Sequence, residues 1–189
     1  MDIKVIDTGL DGVVVIETAF FRDERGFFIE SYHKQRYFDC GLKYEFVQDN
    51  HSRSVRNVLR GLHYQDMRAP MGKLVRCTAG SILDLAVDIR VGSPTYRRWV
   101  ALELTAENMR QIFVPPGYAH GFLTISDSAE VQYKCTTYYA PASEGVIAWN
   151  DKELEIDWPC VNPIVSARDA KGMSLKDYEK APAFIFSAA

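Results

Sequence analysis

The sequence has no apolar run approaching the roughly 18 residues of a membrane-spanning helix, so a helical membrane protein is set aside. It has no excess of positive charge either. Its 22 Lys and Arg stand against 25 Asp and Glu, for a net charge of −3. General nucleic-acid binding wants a basic face, so that class is set aside too, while a local cationic pocket for phosphates stays open. The opening residues Met1-Asp-Ile-Lys-Val5 lack the basic region and apolar stretch of a secretory signal, and the expectation is a soluble cytoplasmic protein. Cysteine is sparse and scattered: Cys40, Cys77, Cys135 and Cys160 form no CxxC pair. A chain of 189 residues can bury a sizeable core without disulfides. Cys77 and Cys135 lie in apolar, strand-like segments and are expected as small core residues rather than zinc ligands. No internal repeat or low-complexity linker divides the chain, which reads as a single domain over residues 1–189.

Helical periodicity is scarce as well, limited to short candidates at 34–40 and 174–180. What is present instead is a series of short strand patterns: 12–17, 26–32, 45–50, 57–65, 73–78, 81–90, 97–104, 111–114, 121–125 and 129–139. In the 81–90 segment Leu83, Leu85, Val87 and Ile89 alternate with Asp84, Asp88 and Arg90, as in a strand with one buried side. Val131, Tyr133 and Cys135 likewise oppose Glu130, Gln132 and Lys134. Turn signals at Asp23-Glu-Arg-Gly26, Ala79-Gly80, Gly92-Ser-Pro94 and Pro115-Pro-Gly117 punctuate the series. About ten strands at this spacing predict an all-β sandwich or barrel with short peripheral helices.

The chemistry concentrates in Asn57-Val-Leu-Arg60-Gly-Leu-His63-Tyr-Gln65, which puts a guanidinium, a glycine and an imidazole in one short apolar segment. Burying charged or polar groups without partners is costly, so Arg60 and His63 are expected to serve a ligand. Strict alternation would place them on opposite faces, and both reach one cavity only if the strand bends or bulges between them, which Gly61 permits. Pro115-Pro-Gly117-Tyr-Ala-His120 resembles the second motif of cupins, small jelly-roll barrels of which many bind a metal through an HxH pair, a carboxylate and this last histidine. Here the HxH place reads His63-Tyr-Gln65, so the ligand set lacks its second histidine, and neither metal nor other cofactor is expected. His63 then suits a general base, against a core histidine bonded to backbone. Tyr133 points into the barrel either as an acid or as a packed aromatic. Lys73 opens a strand, where a solvated lysine is the ordinary alternative, and Asp169 equally suits a turn.

Taken together, the motifs resemble one family. Phe21-Arg-Asp23-Glu-Arg25-Gly26-Phe-Phe-Ile-Glu30, Gln48-Asp-Asn50-His-Ser52, Val58-Leu-Arg60-Gly-Leu-His63-Tyr-Gln65 and Gly72-Lys73 occur in order. Asp88-Ile-Arg90-Val-Gly-Ser93-Pro94-Thr95, Pro116-Gly-Tyr-Ala-His120-Gly121-Phe122, Tyr133-Lys134, Trp149-Asn-Asp151 and Trp158-Pro159 follow. From about residue 20 to 169 the chain is similar to the dTDP-4-dehydrorhamnose 3,5-epimerases. The resemblance implies a cupin-type jelly roll and inversion of carbons beside the C4 ketone of a nucleotide-linked 4-keto-6-deoxyhexose. It implies His63 as base, Asp169 as its orienting partner, Tyr133 as opposite-face acid and Lys73 at the C4 oxyanion. It implies Arg60 and Arg25 at the diphosphate, with Glu30, Gln48, Asn50, His120, Tyr139 and Glu144 lining the sugar or nucleotide site. It further implies a homodimer in which an N-terminal segment crosses to the partner and carries Arg25 to the neighbour's site.

Met71, Cys77, Ser81 and Phe113 depart from commoner family choices, outside the acid–base set. An epimerase inverting only C3 or only C5 shares the same acid–base residues and stays open. A 3,4-ketoisomerase of the same fold fits the full His63, Lys73, Tyr133 and Asp169 set less well. A non-catalytic nucleotide-sugar binding module would need neither acid nor base.

Overall fold

The computed structural model describes residues 1–187. Thirteen strands dominate it: β1 (Ile3–Asp7), β2 (Val14–Thr18), β3 (Phe20–Asp23), β4 (Gly26–Ile29), β5 (Gln48–Val55), β6 (Leu59–Gln65), β7 (Lys73–Ala79), β8 (Ser81–Asp88), β9 (Trp99–Thr105), β10 (Gln111–Val114), β11 (Tyr118–Thr124), β12 (Ser128–Cys135) and β13 (Glu144–Val146). Two short helices, α1 (Lys34–Asp39) and α2 (Leu175–Tyr178), complete it. Each has a side-chain N-cap, His33 accepting from the Arg36 N–H and Ser174 from the Asp177 N–H. No helix among the described residues is long and apolar enough to cross a membrane.

The strands form two antiparallel sheets, ordered β1-β2-β10-β7-β12-β5 and β13-β6-β11-β8-β9, with β3-β4 as a separate hairpin. Between the sheets, Val75 and Cys77 of β7, Ile112 of β10 and Val131 of β12 meet Ile82 and Ala86 of β8 and Phe122 of β11. This is the cupin-type jelly roll. Each fully buried aliphatic side chain in it contributes about 1.5–3 kcal/mol. Phe122 and Tyr133 mark where packed interior gives way to a cavity, since both touch the core and line the opening.

The outer face of the five-stranded sheet is covered too, and that of the six-stranded sheet in part, which corrects the expectation for the 81–90 segment. Leu85, Val87 and Ile89 lie on the outer side, under Trp158, Leu175, Tyr178 and Phe184 from the C-terminal stretch. Asp84 and Asp88 face the barrel interior and are fully buried rather than solvated. Alternation reports that the two faces differ, not which one meets water. Asp88 is satisfied there by Arg90 and by the Ser93 and Thr95 hydroxyls, both at 2.6 Å. On the other sheet, Leu74 and Phe113 pack beneath Tyr37 of α1 and Leu42. Strands β1, β3 and β13 add to those the sequence pattern predicts, while β5 begins at Gln48 and β11 at Tyr118, so that His120 lies within a strand.

Candidate active site

The cavity between the sheets has a volume of about 340 Å³. Its first element is a bulge in β6, one of the two irregularities expected between Arg60 and His63. His63 and Arg60 oppose His120 and Phe122 of β11, so three steps along β6 match two along β11. The extra residue returns both Arg60 and His63 to the cavity side, while Leu59 and Leu62 pack outward. Glycine is required at the bulge: Gly61 has φ +137° and a Cβ there would stand 2.6 Å from the Gly121 Cα. The bulge also frees the Gly61 N–H, which donates to Asp169 Oδ2 at 3.3 Å. Asp169 Oδ1 in turn takes the His63 Nε2–H at 2.8 Å. One carboxylate thus holds both the irregular backbone and the imidazole.

The electrostatics of this pair follow from burial. Burial opposes ionisation of Asp169, but the hydrogen bonds from His63 and Gly61 outweigh it and bring its carboxyl down to about 2. An ionised carboxylate only accepts, so Nε2 carries the proton and Nδ1 keeps the lone pair. Burial lowers the His63 pKa below its ordinary 6.5; Asp169 works against this, and the Lys73 charge reinforces it. Arg168 Nη2 stands 3.3 Å from the same Nε2. Two donors face each other there, so that contact disfavours imidazolium rather than forming a hydrogen bond. The His63 imidazole is therefore neutral near pH 7.

The facing sheet supplies Tyr133 from β12 and Lys73 from β7. Burial raises the Tyr133 phenol above its ordinary 10, which keeps it protonated and able to donate. Lys73 Nζ lies 5.9 Å from the Tyr133 ring centroid, and burial lowers its pKa, opposed by Cys135, Asp84 and Glu144. A base on one sheet, a phenol on the other and an ammonium beside the phenol can remove a proton from one face, return it to the other and hold an oxyanion between.

The rim is polar. Arg60 is exposed, donates from Nε to Ser54 Oγ at 3.0 Å and has no carboxylate partner among the described residues, leaving its guanidinium edge open to an anion. Gln48 donates to Asn50 Oδ1 at 3.1 Å, and Glu144 accepts from Tyr139 Oη at 3.0 Å. Arg168, not singled out from the sequence, pairs with Glu144 at 2.6 Å and lines the cavity. Its one signal was a cation beside Asp169. Arg25 and Glu30 are not brought to this cavity. Arg25 is exposed in the β3–β4 hairpin and ion-pairs with Asp23, and Glu30 binds Arg36 at 2.7 Å.

His120 lines the cavity opposite His63 in register, and its Nε2–H donates to both oxygens of buried Asp84, at 3.0 and 2.9 Å. Asp84, on the polar stripe of β8, thus holds a cavity-lining histidine from the buried side. At the positions where metal-binding cupins gather ligands, His63 is held by Asp169, His120 by Asp84, and Gln65 by backbone groups. Among the described residues no three His, Cys, Asp or Glu side chains converge on one point.

Comparison with known proteins agrees with this geometry. The family model described as dTDP-4-dehydrorhamnose 3,5-epimerase matches residues 7–177. The Salmonella typhimurium dTDP-4-dehydrorhamnose 3,5-epimerase is 53% identical over 168 residues, covering 88% of this chain and 92% of the relative. A Streptomyces niveus dTDP-4-dehydrorhamnose 3-epimerase is 38% identical over 170 residues, covering 89% and 82%. Among solved structures, the Legionella pneumophila dTDP-6-deoxy-D-glucose-3,5-epimerase in complex with dTDP-4-keto-L-rhamnose superposes with a TM-score of 0.94 at 44% identity, covering 99% of this chain and all of that one. The chain belongs to the dTDP-4-dehydrorhamnose 3,5-epimerase family.

Proposed function

We propose that this chain inverts C3 and C5 of dTDP-4-dehydro-6-deoxyglucose to give dTDP-4-dehydrorhamnose, in the cytoplasm and without a metal. The observation that carries the reading is the placement of a carboxylate-bound imidazole and a protonated phenol on facing sheets of one cavity. The C4 ketone acidifies the hydrogens at C3 and C5, because an adjacent carbanion delocalises into an enolate. His63 Nδ1 removes the proton, Asp169 stabilises the imidazolium that forms, Lys73 holds the developing C4 oxyanion, and Tyr133 protonates the opposite face. Arg60 takes the diphosphate, with Gln48, Asn50, His120, Tyr139 and Glu144 along the sugar and nucleotide. In deuterated solvent, product carrying label at both C3 and C5 is expected. Label confined to one carbon would replace this reading with a single-position epimerase, the activity named for the Streptomyces niveus relative.

The pH dependence has a definite sign. His63 acts when neutral, so kcat/KM falls as pH drops through its pKa, which burial places below 6.5. Lys73 acts when charged, so activity is lost again as pH rises through a pKa that burial places below 10.5. The expected profile is a bell between these limits, and an acid limb above 6.5 would contradict the assignment of His63. Turnover should also survive exhaustive chelation, since the side chains at the cupin metal positions are engaged with Asp169, Asp84 and backbone. Activity lost with a stoichiometric ion and restored by its return would overturn this.

The working form is a homodimer in which Arg25 and Glu30 serve the partner's cavity. The support is the hairpin: Phe21, Phe27 and Phe28 are more than half exposed, Arg25 lies away from its own chain's cavity, and β5 leaves an open sheet edge that a second copy would cover. Mixing His63→Ala with Arg25→Ala protein and allowing subunit exchange is expected to recover roughly a quarter of the wild-type sites, because each mixed dimer holds one intact set. No recovery from exchanged dimers would mean that each chain serves itself.

A further inference from the structure

We propose that Gln65 is a positioning residue that preorganises the wall of the cavity carrying Tyr139. The inference rests on the reading of Tyr139 as a substrate contact. Gln65 stands where a metal-binding cupin would carry its second histidine, and it is 5% exposed. Its amide is committed to backbone. Nε2 donates to the Ala69 carbonyl at 2.8 Å and to the Tyr138 carbonyl at 3.3 Å, and Oε1 accepts the Ala140 N–H at 2.7 Å. The opposite amide orientation would set a carbonyl oxygen against two carbonyls and an NH₂ against an N–H, so this one is dictated by the partners.

The Tyr139 N–H is taken by Gln48 Oε1 at 2.9 Å. The peptide group before Tyr139 is therefore gripped at both ends, its carbonyl by Gln65 and its N–H by Gln48, and the peptide after it is gripped at its N–H. These two peptide planes define the φ and ψ of Tyr139. Thr137 Oγ1 adds a bond to the Pro70 carbonyl at 2.8 Å, tying the same loop to the 66–72 segment. Yet Tyr139 is 49% exposed, its hydroxyl anchored on Glu144. An exposed ring on an immobilised backbone suits a surface built to receive a ligand, because the ordering cost is met before binding.

A residue that acts this way changes binding rather than chemistry. For Gln65→Leu and Gln65→Glu, KM for the nucleotide sugar is expected to rise about 5- to 30-fold, the entropy of freeing one loop residue. The value of kcat, and solvent exchange at saturating substrate, should stay within about threefold of wild type. Tyr139→Ala should raise KM similarly, and the Gln65→Leu/Tyr139→Ala double variant should be no worse than Tyr139→Ala alone. A fall in kcat with KM unchanged, or additive effects in the double variant, would overturn the proposal and leave Gln65 as a satisfied core amide. Tyr139→Ala with wild-type KM would instead remove the substrate contact on which the proposal stands. Should the Gln65 variants fail to fold, amide hydrogen exchange of the wild-type protein decides: slow exchange at Tyr139 and Ala140 supports the clamp, and exchange at free-loop rates excludes it.

Discussion

Turnover should fall by about 10²- to 10⁴-fold when His63 is replaced by alanine, the usual cost of losing a general base, while the fold is retained. The retention follows from the surroundings. The imidazole faces the cavity with 19% of its side chain exposed, so its loss enlarges an opening that already exists. The group at risk is Asp169, 3% exposed and deprived of its strongest partner. It keeps the Gly61 N–H at 3.3 Å and Arg168 Nε at 3.4 Å, and without His63 its carboxyl pKa climbs from about 2 towards the ordinary value. Stability should therefore fall most near neutral pH and least in acid, where the carboxyl is neutral whether or not His63 is present. Asp169→Asn should be milder in turnover. Its charge raises the His63 pKa, so the neutral amide leaves a weaker base and moves the acid limb of the rate profile to lower pH. The measurement is solvent-deuterium exchange into substrate at the first carbon attacked. Exchange at the wild-type rate in the His63 variant would remove it as the base.

How far this site could be read in the sequence depended on how local the determinants were. Arg60, Gly61 and His63 lie within four residues of one another, so the conflict between their alternation and a shared cavity is visible in the sequence, with a bend or a bulge at Gly61 as its resolution. The β6–β11 register contains that bulge. Tyr133 was legible for the same reason, from its stripe with Val131 and Cys135. Asp84 was not. The pattern around it separated two faces, and only the covering of the outer face by Trp158, Leu175, Tyr178 and Phe184 turns the polar side into the barrel interior. Of those residues only Leu175 and Tyr178 fall in a recognisable pattern, the short helix candidate at 174–180, and nothing local says which sheet face that helix covers. Arg168 was hidden similarly, because its role depends on Glu144, which is 24 residues away in sequence and lies on β13, a strand too short to show alternation. The hairpin carrying Arg25 projects Phe21, Phe27 and Phe28, which the described residues leave more than half exposed.

The Tyr133→Phe variant separates proton return from proton removal. Tyr133 is half-buried on the inner face of β12, and phenylalanine keeps the ring packing against the core between the sheets while removing only the hydroxyl. No hydrogen bond within the described chain involves that hydroxyl, so its loss leaves no protein donor or acceptor stranded and the fold should be undisturbed. If His63 removes the proton, Lys73 holds the enolate and Tyr133 supplies the replacement proton, the variant can still reach the enolate. It can then exchange label, because His63 returns a proton to the face from which it took one. Inversion needs a donor on the facing sheet, and Tyr133 is the phenol that burial keeps protonated there. Inversion should drop by about 10² or more, the usual contribution of a general acid, while exchange stays near the wild-type rate. The quantity to measure is the ratio of inversion to exchange at each labelled carbon, since the ratio cancels any loss in substrate binding. A ratio equal to that of the wild type would mean that water or another cavity group returns the proton, and Tyr133 would then serve the barrel as a packed aromatic.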